Sequence, residues 1–187
     1  MSKIILKSED LVLITAHPGL SGKVLDYYIR NRENLKVWEP RRPDSFYTKK
    51  YQKNILKQGV LRASKGSEYR FILFEKKDII RKNSAGILSF SNIVKGPFLS
   101  CHVGYSIDER LKNRGYMTQA LKAGIDFIFN TVGLHRIEAN IMPRNSASVK
   151  VVSKLGFMNE GISPKYLKIN GEWEDHIHMV LRNRSLE

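Results

Sequence analysis

The sequence predicts an α+β protein in which a mixed, mostly antiparallel central sheet is flanked by helices. Segments with strand-like alternation are numerous, and several follow one another directly, as in antiparallel pairing. A single strand–helix–strand order, near residues 100–142, indicates one crossover within the sheet. With 187 residues, 42% hydrophobic and 27% charged, we expect residues 1–187 to form a single globular domain.

The first half of the chain contains two predicted helices among short strands. Alternating apolar and polar residues predict strands at 4–6, 11–14, 69–75 and 85–93. Apolar residues at helical spacing predict helices over 22–31 and 46–64. The segment 38–45 between these helices contains two prolines and two arginines, so we interpret it as a loop. It is either a plain connection or a basic lip beside a substrate.

Residues 100–120 join a predicted strand to a predicted helix through a tight loop. Residues 100–107 alternate at strand period, and apolar residues from Met117 to Val132 recur at helical spacing. Gly115 tolerates the positive φ that such a loop often needs. The loop leaves free backbone N–H groups and two cations at a positive helix end, which suits a phosphate group. The alternative is an ordinary connection with solvated charges.

The last third of the chain contains a strand, a short helix and a hairpin. Residues 135–142 alternate, and Asn145 or Ser146 then caps a helix that stops at Gly156. This is the fourth predicted helix. The dipeptide Asn170-Gly171 is a strong hairpin turn signal, and it lies between predicted strands at 157–167 and 173–181.

Composition excludes several kinds of protein. No apolar run approaches the roughly 20 residues of a membrane span, and the charged N-terminus does not resemble a secretory signal. The single cysteine, Cys101, cannot form an internal disulfide and fits a reducing cytoplasm. Among the five histidines only His176 and His178 have metal-like spacing; because no cysteine accompanies them, we expect no metal site.

The net charge of +14 indicates an anionic partner. A nucleic acid, a polyphosphate ligand and an acidic surface all satisfy this condition. A free polycation is disfavoured as a substrate. The basic residues are spread along the chain and form no tail, so part of the charge serves only solubility.

Two separate stretches of the chain resemble the GCN5-related N-acetyltransferase (GNAT) superfamily. The strand YSI, the loop KNRGYM and the following helix resemble the family's pyrophosphate loop, Gln/Arg-x-x-Gly-x-Gly/Ala. Gly115 matches that pattern, whereas Lys112 and Met117 replace its first and last residues. Downstream, HRIEANIMPRN, LGFMNEG and NGEWEDH resemble the Rim-type branch, the ribosomal-protein-alanine N-acetyltransferases.

The resemblance implies a GNAT-like sheet with a splay between the family's strands 4 and 5, which correspond here to the strands near 100–107 and 135–142. It also implies acetyl-CoA as cosubstrate, with its pantetheine arm in the gap. The residues implied to bind acetyl-CoA lie on the strand, on the loop and at the start of the last helix. They are Tyr105, Ser106, Ile107, Lys112, Asn113, Arg114, Gly115, Tyr116, Met117, Thr118, Asn145 and Ser148.

Acetyl transfer requires a neutral amine, a polarised thioester carbonyl and a proton for the leaving thiolate. Glu138 and Glu160 are the candidate general bases, although each is equally explained as a solvated residue or an arginine partner. A sister branch has Glu where this chain has Asn140, and the tyrosine acid of the family is replaced by Val152. Ser148 is therefore the candidate proton donor.

The glutamate base of the sister branch is absent from this chain, and its absence favours an N-terminal α-amine as the acceptor. An α-amine with a pKa near 7.7–8 is roughly one-tenth neutral at pH 7, whereas lysine is neutral about once in 2,500 molecules. The α-amine thus needs about 3 kcal/mol less from the enzyme. A weak base or a water chain is then sufficient.

The leading hypothesis is an enzyme that transfers acetyl from acetyl-CoA to a protein N-terminus, including that of a ribosomal protein, by direct attack in a ternary complex. A small-amine or antibiotic acetyltransferase is an alternative within enzymes. A basic ribosome- or RNA-associated binding module with a vestigial cofactor site is the non-enzyme alternative. Direct nucleic-acid binding, although open, is not expected; a homodimer is left open, and no membrane partner is expected.

Overall fold

The computed structural model describes residues 3–187, which form one eight-stranded sheet with α-helices on both faces. The strands are β1 (Ile5–Lys7), β2 (Leu11–Thr15), β3 (Tyr69–Glu75), β4 (Gly86–Val94), β5 (Ser100–Ile107), β6 (Arg136–Ile141), β7 (Met158–Ile169) and β8 (Glu172–Arg182). The helices are α1 (Ser21–Arg30), α2 (Arg32–Lys36), α3 (Lys49–Ser64), α4 (Tyr116–Asp126) and α5 (Ser146–Lys154). None of the helices within residues 3–187 is long and apolar enough to cross a membrane.

The strand order is β1-β2-β3-β4-β5-β6-β8-β7, and every neighbouring pair except β5–β6 is antiparallel. The single parallel pair arises because α4 carries the chain from β5 back to the start of β6. The prediction of a mixed, mostly antiparallel α+β sheet is confirmed.

β5 and β6 pair over only three residues. Ser100, Cys101 and His102 lie opposite Arg136, Ile137 and Glu138, and no pairing follows. From residue 103 on β5 and residue 139 on β6, the two strands run apart. The predicted splay between the family's strands 4 and 5 is therefore present, between β5 and β6 in the numbering used here.

The helices divide between the two faces of the sheet. α4 and α5 cover one face, where Leu121 and Val152 are fully buried, and α1, α2 and α3 cover the other over β2 to β4. Gly124 lets α4 approach the sheet, since an added Cβ would lie 2.7 Å from a methyl of Leu88 and 2.8 Å from the Phe90 ring. β5, β6 and β8 have one side that faces away from α4 and α5. We refer to this part of the sheet surface as the polar face.

Residues 3–187 contain five α-helices, one more than the four predicted, and the additional helix lies in the first half of the chain. The short helix α2 follows α1 directly, because Asn31 at φ −104° and ψ 11° breaks the helical run. The predicted helix over 46–64 starts later, at Lys49, where the Thr48 hydroxyl accepts a hydrogen bond from Tyr51 N. The last helix begins after Asn145, as predicted, and the Asn170-Gly171 turn joins β7 to β8.

Candidate active site

The loop between β5 and α4 presents a row of unpaired backbone donors. Within residues 3–187, the N–H groups of residues 113–118 donate to no protein acceptor, and the first bonded amide is that of Gln119, which donates to Gly115 O at 3.1 Å. These six amides lie at the N-terminus of α4, where the helix dipole is positive. The arrangement suits a diphosphate, which carries both negative charge and many acceptor oxygens.

Two left-handed residues shape this loop. Asn113 has φ +61° and Gly115 has φ +73°, on either side of Arg114. Such alternation brings successive N–H groups toward a common point, as in other anion-binding turns. An added Cβ at Gly115 would meet no atom within 4 Å, so the backbone conformation, and not local crowding, requires glycine.

A buried carboxylate fixes the start of the loop. The Asp108 side chain is 2% exposed and accepts bonds of 2.9 Å from both Arg30 and Arg110. Burial alone would raise the pKa of Asp108, but the hydrogen bonds from Arg110 and Arg30 outweigh it and hold that pKa well below its usual range. The Asn31 side-chain oxygen also accepts a bond from Glu109 N at 2.9 Å. The loop is thereby tied to α1 and to the residue after it.

The side chains of the loop divide into engaged and free ones. Lys112 Nζ donates to Asn34 Oδ1 at 2.7 Å and to Glu109 Oε1 at 3.1 Å. The Tyr116 hydroxyl donates to Glu75 over 2.9 Å, and Met117 is buried in the core beneath α4. Tyr116 and Met117 therefore present only their amides to a ligand, while Arg114 is exposed beside them.

The parting of the strands leaves backbone groups of β5 without a strand partner. The Asp108 N–H donates to Ala85 O, just before β4, at 2.8 Å, and such bonds alternate along an antiparallel ladder. The N–H and C=O groups of Tyr105 and Ile107 therefore face the gap, whereas those of Ser106 face β4. The Ser106 hydroxyl accepts a bond of 2.8 Å from Tyr27. Three residues of this strand were predicted to bind acetyl-CoA. Two of them, Tyr105 and Ile107, direct their backbone N–H and C=O groups into the gap.

The Tyr105 side chain spans the gap on the helix side. Its hydroxyl donates to the carbonyl oxygen of Ser148, in the first turn of α5, at 3.0 Å. Burial raises the pKa of Tyr105, so the phenol stays protonated at neutral pH. The contact could not be predicted, because no local sequence pattern indicates that this hydroxyl reaches a helix 43 residues later.

Asn145 and Ser148 lie together at the start of α5, as predicted. Asn145 Oδ1 accepts a bond from Ser148 N at 3.2 Å, so its carbonyl oxygen caps the helix. The Ser148 hydroxyl makes no hydrogen bond to any of residues 3–187. Its role as proton donor stays a prediction.

Both predicted carboxylate bases share one arginine on the polar face. Arg136 Nε lies 2.9 Å from Glu138 Oε1, and Arg136 Nη2 lies 2.6 Å from Glu160 Oε2. The hydrogen bond from Arg136 holds the pKa of Glu160 below its usual range. A carboxylate stabilised in this way is a weaker proton acceptor. The catalytic roles of Glu138 and Glu160 stay predictions.

A hydrogen-bonded chain occupies the polar face beside the gap. Asn140 Oδ1 lies 2.6 Å from His178 Nδ1, and His178 Nε2 lies 2.7 Å from Ser163 Oγ. The Tyr166 ring lies edge-on to His178, with its hydroxyl 3.3 Å from Asn140 Nδ2. His178 thus contacts residues of β6 and β7, and sequence alone could not predict these contacts because the residues come from three strands.

The sequence of this chain is similar to those of known acetyltransferases. The profile described as "Acetyltransferase (GNAT) domain" matches residues 22–158. The [Ribosomal protein uS5]-alanine N-acetyltransferase of Escherichia coli (strain K12) is 37% identical over 182 residues, covering 96% of this chain and 91% of that protein.

Two solved structures have the same fold as this chain. The ribosomal-protein-S5-alanine acetyltransferase of Vibrio fischeri superimposes with a TM-score of 0.93 at 35% identity, covering 98% of this chain and 99% of that one. Mycobacterium smegmatis RimJ, solved with CoA-disulfide, has the same fold, with a TM-score of 0.88 at 24% identity over 98% of this chain and 88% of that one.

These matches confirm the predicted cosubstrate, acetyl-CoA, and the predicted reaction class. The free amides before α4 and the parted strands β5 and β6 are the features that such an enzyme needs. On sequence and fold together, the chain belongs to the GNAT acetyltransferase family and is an acetyl-CoA-dependent N-acetyltransferase.

Proposed function

We propose that this enzyme transfers the acetyl group of acetyl-CoA to the N-terminal α-amine of a ribosomal protein in the cytoplasm. The observation that carries the proposal is the combination of six unpaired amides at 113–118 with a gap between β5 and β6. The similarity to a uS5-alanine N-acetyltransferase along 96% of the chain supports the acceptor class.

Groups of the protein bind the diphosphate, hold the pantetheine arm and position the thioester, in this order along the gap between β5 and β6. Amides 113–118 and Arg114 bind the diphosphate, and the backbone of Tyr105 and Ile107 binds the pantetheine arm by hydrogen bonds in the gap. The thioester then lies beyond residue 102, where β5 and β6 have parted. The acceptor amine approaches from the polar face, because Tyr105 closes the helix side of the gap.

The amine attacks the acetyl carbon directly, the C–N bond forms, and the C–S bond breaks. Ser148 donates a proton to the departing thiolate, and the protonated Tyr105 hydroxyl at its carbonyl is a second donor at this point. The enzyme needs only a modest base, because an α-amine is neutral far more often than a lysine side chain at pH 7.

Two peptides that differ only at the N-terminus and at one internal position test the proposed acceptor. One has a free N-terminus and an internal arginine, and the other has a blocked N-terminus and an internal lysine. We expect kcat/KM to be higher for the free N-terminus by a factor of about 100 or more, as the about 3 kcal/mol difference in amine ionisation implies. Equal rates, or faster acetylation of the lysine peptide, would exclude the α-amine as the preferred acceptor.

A further inference from the structure

His102 lies where β5 and β6 begin to part. It is the last β5 residue paired with β6, opposite Glu138, and its side chain is on the polar face with 35% exposure. Gly104, the next β5 residue on that face, is exposed, and an added Cβ there would meet no atom within 4 Å. The His102 ring therefore borders open space beside the gap.

The spacing between His102 and Glu138 suits one bound nitrogen atom. His102 Nε2 and Glu138 Oε2 are 3.9 Å apart, which is too long for a direct hydrogen bond. Two atoms at this separation can both lie about 2.9 Å from a third atom, the usual length of an N–H···O or N–H···N bond. An amine nitrogen placed there can donate to both.

Asn92 makes either tautomer of His102 acceptable. The Asn92 side-chain amide lies 3.2 Å from His102 Nδ1, and Asn92 is exposed. With the amide nitrogen toward the ring, Nδ1 accepts and Nε2 holds the proton. Rotation of the amide by half a turn presents its oxygen instead, so that Nδ1 donates and Nε2 is unprotonated.

We propose that His102 is the proton acceptor of the reaction and that Glu138 holds the acceptor amine with it. This inference deepens the proposed function and rests on it. As the amine nitrogen bonds to the acetyl carbon, one N–H proton moves to His102 Nε2 and the C–S electron pair leaves with sulfur. The thiolate takes one proton from Ser148, which regains it from solvent, and the imidazolium releases its proton to solvent.

The charges around His102 favour this division of roles. Glu138 faces it from β6, Arg136 compensates Glu138, and Ser91 lies opposite on β4. Arg70, which donates to Ser89 Oγ at 3.2 Å, is the other cation on this face of β3 and β4. Arg136 Nε occupies Glu138 Oε1 at 2.9 Å, so the other carboxylate oxygen, Oε2, is the one that faces His102 Nε2 and can hold the amine beside it.

His102→Gln tests the proposal, and His135→Gln is the matched control. His135 is another partly exposed histidine beside a carboxylate, 3.0 Å from Glu187, and it lies just before the start of β6, at the end away from the gap. With the free N-terminal peptide and saturating acetyl-CoA, we expect His102→Gln to lower kcat about 100-fold and leave the affinity for acetyl-CoA within twofold. We expect His135→Gln to match the wild type in both.

A rescue experiment separates proton transfer from packing. In His102→Ala, added imidazole is expected to restore at least one-tenth of the wild-type kcat. In the presence of imidazole, kcat/KM of this variant is expected to fall at low pH as the added imidazole becomes protonated. Activity of His102→Gln within twofold of wild type, or a defect in His102→Ala that imidazole does not rescue, would overturn the proposal.

The wild-type measurement keeps the two proposals apart. If the wild type acetylates the lysine peptide in preference, the proposed acceptor is wrong, and the effect of His102→Gln on that substrate still decides the role of His102. If the wild type prefers the free N-terminus and His102→Gln is fully active, only the proton acceptor is wrong.

Discussion

At the scale of single residues, Gly115 and its neighbours give the loop before α4 the conformation on which the proposed diphosphate site depends. The positive φ of Gly115 is needed for the loop whose amides are unpaired. Asn145 and Gly115 could both be predicted, because capping and left-handed turns leave local signals in a sequence.

Replacing Gly115 with Asp is expected to weaken acetyl-CoA binding at least tenfold. The side chain adds negative charge where the diphosphate binds and strains a φ of +73°. Gly96→Asp is the matched control, because Gly96 also has φ +73° and open space around its Cβ but lies in the β4–β5 turn. Isothermal titration measures both affinities, and equal values for the two variants would contradict the loop assignment.

Replacing Asp108 with Asn is expected to lower the free energy of unfolding by about 3 kcal/mol at pH 7, since it leaves Arg30 and Arg110 without their buried anion. Asp44→Asn is the control, because the Asp44 carboxylate is 97% exposed in its pair with Arg32. A control of this kind is expected to change stability by less than about 1 kcal/mol. Urea unfolding measures both.

The same carboxylate makes a pH-dependent contribution to stability. The pKa of Asp108 is lower in the folded protein than its usual value near 3.9, so its stabilisation is complete above that value. It is lost as the pH falls through the folded-state pKa. We therefore expect the difference in the free energy of unfolding between wild type and Asp108→Asn to become smaller below about pH 4. A difference that does not change with pH would contradict the lowered pKa of Asp108.

The contacts of Asp108 and Tyr105 could not be predicted from sequence. Asp108 binds an arginine 78 residues earlier, and Tyr105 reaches a carbonyl 43 residues later. Long-range pairing of this kind has no local pattern. Glu138 and Glu160 could be named as candidate bases, each with an arginine partner as the alternative. That one arginine, Arg136, pairs with both could not be predicted, because Glu160 lies 24 residues away on another strand.

At the scale of secondary-structure elements, the site depends on where strand pairing ends and where a helix starts. Pairing of β5 with β6 stops after three residues, and α4 starts one residue after the left-handed Gly115. The ends of the strands and of the last helix could be predicted, since turns and caps mark them. The short helix α2 was missed because five residues give too few periodic positions.

Amide hydrogen exchange tests the role of the start of α4. Without ligand, the amides of residues 113–118 have no protein acceptor and are expected to exchange rapidly. Saturating coenzyme A is expected to slow their exchange at least tenfold, because its phosphate oxygens accept their hydrogen bonds. The exposed turn at 95–98 is the internal control and should stay fast. Unchanged exchange at 113–118 would show that the diphosphate binds elsewhere.

At the scale of the whole molecule, a net charge of +14 bears on the partner. Composition alone indicated an anionic partner, and a ribosome meets that description as well as a nucleotide cosubstrate does. The fold class could be predicted because the succession of strand-like and helical segments, with its one crossover, can be read from the sequence. That residues 1–187 form a single domain stays a prediction.

The charge predicts a salt dependence that distinguishes free from ribosomal substrate. Raising the salt from 50 to 200 mM is expected to reduce kcat/KM for an assembled ribosomal particle at least tenfold, because counterions screen the basic surface. For a short uncharged peptide with the same N-terminus, we expect less than a twofold change. The same loss for both substrates would indicate that the charge does not recruit the ribosome.

The most direct test of the central claim is identification of the acetylated atom. The protein is incubated with isotopically labelled acetyl-CoA and unacetylated ribosomal proteins, and the labelled positions are determined by mass spectrometry. Our account predicts label on the α-amine of an N-terminal residue, and loss of that label with Gly115→Asp but not with Gly96→Asp. Label confined to lysine side chains, or no label from a protein that still binds acetyl-CoA, would contradict it.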